Sequence, residues 1–133
     1  MSDVQVRKIS DFATKVGSGS TPKGGEANYK SEGVPLIRSM NVHFDGFRYD
    51  GLAFLDDDQA SSLKNVEVCA GDVLLNITGA SIGRVTVAPE KLQGARVNQH
   101  VCIIRPDHSV NSSYLRWYLA SPVVQRQINS MES

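Results

Sequence analysis

Residues 71–84 read Gly-Asp-Val-Leu-Leu-Asn-Ile-Thr-Gly-Ala-Ser-Ile-Gly-Arg, and no other stretch limits the fold of this chain so tightly. Gly71-Asp72 is a turn pair, because glycine tolerates positive φ and an aspartate side chain can hydrogen-bond nearby backbone. Val73-Leu74-Leu75-Asn76-Ile77 is short, apolar and bounded by turn signals on both sides. That predicts a buried strand, since a helix needs about ten residues or more. Residues 78–83 then hold two glycines, two hydroxyl side chains and one apolar anchor, Ile82. Arg84-Val85-Thr86-Val87 alternates polar and apolar, as a half-buried strand does. A β-hairpin with a wide loop results, and two readings of the loop stay open. It is a folding element only, or Thr78, Gly79, Ala80 and Ser81 bring small side chains and N–H groups up to an anionic backbone, with Arg84 supplying positive charge.

A chain of 133 residues fits one domain and can bury a core without staples. Fourteen Lys and Arg balance fourteen Asp and Glu, so no global charge draws the protein to nucleic acid. The distribution is uneven: residues 1–44 carry six basic and four acidic side chains, 45–72 two and seven, and 73–133 six and three. A neutral total can therefore hold a basic face beside an acidic one, and the local field steers a charged partner. Cys69 and Cys102 form neither a disulfide framework nor a metal spacing. With no signal peptide and no apolar run of membrane-spanning length, a soluble, cytoplasmic protein without membrane contact is expected.

Taken in order, Ser10, Asp11, Phe12 and Val16 suggest a short helix capped by Ser10 and stopping at Gly17. The Gly/Ser-rich 17–25 stretch resembles a linker in composition, but Thr21-Pro22 argues for order. Lys15, Lys23 and Lys30 around it make a phosphate-contacting loop or an ordinary solvated one. Val34-Pro35-Leu36-Ile37-Arg38 reads as an edge strand because of its proline. Asp45-Gly46 and Asp50-Gly51 are hairpin turn signals. Asp56-Asp57-Asp58 stand where a helix over 59–63 begins, and stabilisation of its N-terminus explains them better than a metal site. Residues 95–105 are expected to form one strand, interrupted in its apolar pattern by Asn98-Gln99-His100. Ser112 or Ser113 caps a helix through Leu119. Ser121-Pro122 starts another, with Val123, Val124 and Ile128 on its apolar side.

Chemistry of the catalytic kind is missing from the pattern. No nucleotide-binding glycine motif, nucleophile elbow or adenine-methyltransferase motif occurs, and the three histidines do not cluster. A binding protein is expected, with no cofactor, no metal and no catalytic residue.

The order of several short motifs resembles one target-recognition domain of the specificity subunit of type I restriction–modification enzymes. They are Val6-Arg7-Lys8-Ile9-Ser10-Asp11-Phe12, Gly19-Ser20-Thr21-Pro22, Val34-Pro35-Leu36-Ile37-Arg38, Gly71-Asp72-Val73-Leu74, Gly79-Ala80-Ser81-Ile82-Gly83-Arg84 and Asn98-Gln99-His100. The paired helices of residues 114–128 match the domain's end. The resemblance implies a non-catalytic module that binds double-stranded DNA and reads one half of a split target. It also implies methyltransferase and restriction subunits as partners, docked through long spacer helices. One recognition domain spanning 1–133 is expected, without the family's spacer helix and second domain, which leaves pairing with a second recognition domain open. The expected fold is α+β, a twisted mixed or antiparallel sheet with short helices at both ends.

On this reading the 17–30, 38–48 and 78–84 loops face the duplex. Lys23, Lys30, Thr78, Ser81 and Arg84 are expected to hold phosphates, while Arg38, Asn41, Arg48 and Gln99 are expected at base edges. The alternative is a protein-interaction module that works through its C-terminal helices without specific DNA recognition.

Overall fold

The computed structural model describes residues 8–22 and 25–131. A one-turn helix, α1 (Ile9–Phe12), leads into β1 (Ala13–Ser18). Then come β2 (Val34–Ile37), β3 (Val42–His43), β4 (Gly46–Phe47) and β5 (Ala53–Leu55). Helix α2 (Asp57–Ser62) follows, then β6 (Val73–Asn76), β7 (Val85–Val87), β8 (Arg96–Val97) and β9 (Val101–Pro106). Helices α3 (Ser112–Leu119) and α4 (Pro122–Met131) close the described chain. The architecture is α+β, and no helix among the described residues is long and apolar enough to cross a membrane.

Three sheets form instead of one. The largest has the order β1-β9-β6-β7 and is antiparallel throughout. The second runs β5-β2-β8, with β2 antiparallel to β5 and parallel to β8. The third is the β3–β4 hairpin.

The four-stranded sheet is the middle layer, and this explains why β6 is apolar at successive positions. Leu74 and Ile103 enter a core shared with Leu36, Ile37, Leu55, Val66 and Val97 of the smaller sheet side. Their neighbours Val73, Leu75, Cys102 and Ile104 point the other way, onto Leu115, Leu119 and Val124 of α3 and α4. All four residues of β6 are buried, as a strand covered on both faces requires.

Several local expectations are corrected. Ser10 lies inside α1, whose start is held by Lys8 N–H donating to Asp11 Oδ2 at 2.9 Å, and Val16 belongs to β1. β2 is a central strand despite Pro35, because β8 begins to pair only at Leu36 and demands nothing of the proline nitrogen. The single strand expected over 95–105 is two strands in two sheets. Asn98 makes the crossing: its N–H donates to Ile37 O, its carbonyl accepts from Gly19 N–H, and its Oδ1 accepts from His100 N–H. Asn111, not a serine, caps α3 by accepting from Tyr114 N–H. Val123 is exposed, so Val124 and Ile128 alone carry the packed side of α4. The aspartate run behaves as expected: Asp56 and Gln59 form a reciprocal capping box, with Asp57 and Asp58 in the first turn of α2.

Candidate nucleic-acid interface

Crossing between sheets at residues 98–100 brings separate loops to one end of the molecule. Gly19 N–H meets Asn98 O, and Thr21 Oγ1 donates to Gln99 Oε1 at 2.8 Å. Ile77 N–H donates to His100 O at 3.0 Å, while Thr78 Oγ1 and His100 Nδ1 hydrogen-bond directly. Asn76, fully buried at the end of β6, donates through Nδ2 to Ser39 O at 3.0 Å and to Ser81 Oγ at 3.1 Å. One buried amide thus fixes both the 39–41 turn and the 78–84 loop. The far end of that loop is pinned at Gly83, whose φ of 95° suits glycine. Its N–H donates to Asn76 O and its carbonyl accepts from Gln125 Nε2 of α4.

Between these segments lies a cleft of about 360 Å³ lined by Ser39, Met40, Thr78–Ser81, Arg84 and His100. Arg84 Nη1 stands 3.5 Å from His43 Nδ1, and no carboxylate pairs with it among the described residues. The other expected cations are differently placed. Lys30 Nζ is 4.0 Å from Asp56 Oδ2, both half-exposed, a contact that solvent weakens. Arg48 Nη2 reaches both carboxylate oxygens of Asp45, at 3.2 and 3.0 Å. The Arg48 hydrogen bond, helped by its charge, holds the Asp45 carboxyl below the usual range. This pair is solvent-exposed, so Arg48 can change partners readily.

Two expected base readers are engaged within the protein instead. Arg38 Nη2 donates to Gly51 O at 2.6 Å and its guanidinium lies 5.2 Å from the Tyr29 ring centre. Asn41 is fully buried: its Oδ1 accepts from Arg38 N–H, and its Nδ2 donates to Arg48 O and Asp50 O. Both therefore shape the 38–51 loop, and Asn41 is removed from any contact surface by its burial. Gln99 is exposed and stays available at the rim. Thr78, Ser81 and Arg84 come together in the cleft; Lys30 lies outside its lining, and Lys23 lies outside the described residues. Sequence reasoning set the 38–48 loop toward the duplex but did not single out Ser39, Met40 or His43, because only the fold carries the 39–43 segment across to the 78–84 loop.

No family model matches the chain, and no curated protein matches it in sequence. Solved structures do. A crystal structure of an HsdS subunit from Thermoanaerobacter tengcongensis superimposes with a TM-score of 0.67 at 16% identity, over 92% of this chain and 28% of that one. A second chain gives 0.64 at 18% identity, over 89% and 28%; it comes from work on complex assembly and conformational transition of the type I R-M system. The likeness is one of fold. This chain thus spans a little over a quarter of each of those two chains, and their fold over that portion is the fold expected from the short motifs.

Proposed function

We propose that this chain is a non-catalytic DNA-recognition module of a type I restriction–modification specificity subunit, reading one half of a bipartite target. The observation that carries the reading is the convergence of the 19–22, 39–43, 78–84 and 98–100 segments at one end of an HsdS-like fold, around a guanidinium that no carboxylate among the described residues neutralises. In this reading Lys23, Lys30, Thr78, Ser81 and Arg84 hold the DNA backbone, while Gln99 and Arg48 reach base edges. Methyltransferase and restriction subunits act in the cytoplasm on the site so marked, and a second recognition domain reads the other half.

Selection of duplexes from a randomised pool tests this, at low and at moderate salt. Enrichment of a short motif is the expected result, lost position by position when Gln99 or Arg48 is replaced by alanine. Retention without enrichment would leave only a charged surface, and no retention at low salt would overturn the reading. A second reading rests on α3 and α4, which expose Tyr114, Trp117, Tyr118 and Val123. Those side chains suit a protein partner, captured in a way that survives high salt.

A further inference from the structure

His43 sits behind Arg84, and its two ring nitrogens have different partners. Nε2 lies 3.0 Å from the Met40 carbonyl, which can only accept, so Nε2 carries the proton. In the neutral ring Nδ1 is then a lone pair, turned toward Arg84 Nη1. Across the cleft His100 engages Thr78 through Nδ1, and its Nε2 has no partner among the described residues. One imidazole, His100, thus lines a cleft that already contains a guanidinium and three hydroxyls, and a second, His43, stands behind that guanidinium.

The shape of the cleft selects among DNA groups. Base edges lie recessed in the grooves, whereas the phosphodiester backbone is convex and can enter a concavity. The geometry points to a seat for one backbone phosphate between Arg84, Ser81, Thr78 and His100, whose occupation draws a proton onto His43 or His100. The seat rests on the DNA-binding reading and adds His43 as its positioning residue. With the imidazole neutral, Nδ1 holds Arg84 back; once Nδ1 is protonated it can no longer accept, and Arg84 is released toward the anion. Binding and protonation therefore favour each other.

Other charges face His43 from the elements around it. Asp45 and Arg48, paired with each other, belong to its own hairpin, and Arg116 of α3 donates to Phe44 O. β6 contributes no ionisable side chain, and β7 is preceded by Arg84. The carboxylate of this group, Asp45, is engaged first by Arg48, and the charge of His43 adds a smaller attraction to it.

The test is the pH dependence of binding to a fixed duplex pool. Affinity is expected to rise about threefold to tenfold as pH falls from about 8 to about 6, the range in which histidine side chains change charge. Calorimetry in buffers of different ionisation enthalpy should register proton uptake by the wild-type chain. His43→Gln with His100→Gln should abolish the pH effect, whereas His108→Gln, on an exposed turn, should keep it. Arg84→Ala should weaken binding at both pH values. Binding without proton uptake, or a pH effect that survives the double substitution, would overturn the seat while leaving DNA recognition standing. Absence of duplex binding at every pH would overturn both. The calorimetric measurement needs no variant, so a double variant that folds poorly does not rescue the idea.

Discussion

Asp72 shows how one buried carboxylate organises the turn before the central strand. It is almost wholly inaccessible, accepts from Cys69 N–H at 2.8 Å, and receives Arg105 Nε at 2.7 Å and Nη2 at 2.9 Å. Arg105, on the neighbouring strand β9, is partly exposed and also donates to Glu67 O. Removing the carboxylate leaves the guanidinium half-buried and a turn N–H unsatisfied. Asp72→Ala should therefore lower unfolding stability by about 2–3 kcal/mol, read from urea denaturation. Cys102 makes a separate point, since burial pushes its thiol up, against a smaller opposing effect of the Gly17 backbone. The unfolded thiol ionises first as pH rises, so this contribution to stability is intact below about pH 8.5 and declines above it. The alkaline loss of stability should be shallower in Cys102→Ala, and iodoacetamide should label Cys69 long before Cys102 in the folded protein.

At the level of elements, the approach of β1's end to the sheet crossing is the tightest backbone contact near the interface. A Cβ on Gly19 would stand 1.9 Å from Val97 O and 3.1 Å from Val66 Cγ2. The clash is with backbone, so the 19–22 segment must move, taking Thr21 away from Gln99. Gly19→Ala should destabilise the fold by about 1–3 kcal/mol and, under the proposed function, weaken selection at the base position assigned to Gln99. Much of this element structure was legible beforehand. The 71–84 hairpin, the capping of α2 and the paired C-terminal helices follow from local pattern, where apolar runs and caps are short-range signals. What local pattern hides is partnership. The proline of β2 reads as an edge residue because the staggered start of β8 is not encoded nearby. Residues 95–105 read as one strand because a change of sheet leaves the backbone extended on both sides of Asn98. Asn41 and Arg38 look like base readers in one dimension, and only the closing of the 38–51 loop buries Asn41 and ties the half-exposed Arg38 to Gly51 O.

For the whole molecule, zero net charge makes salt dependence a sharper test than it would be for a basic protein. A polycation binds duplex through many scattered contacts, so its salt response says little about any one face. Here the acidic 45–72 stretch offsets the cations elsewhere, so binding must come from a few of them. Under the proposed function Arg84, Lys30 and Lys23 supply about two or three phosphate contacts, hence a slope of log K on log salt near −2 to −3. Affinity should then fall roughly twentyfold to sixtyfold between about 50 and 200 mM monovalent salt. Arg84→Ala should flatten the slope by about one unit without changing the selected motif, as expected of a backbone contact and not of a base reader. Titrations by fluorescence anisotropy at four salt concentrations would measure both quantities. A slope near zero with binding retained would mean that DNA is held through uncharged contacts, and the cluster around Arg84 would lose its role. An unchanged slope in the variant would move the phosphate contacts to a different face of the molecule.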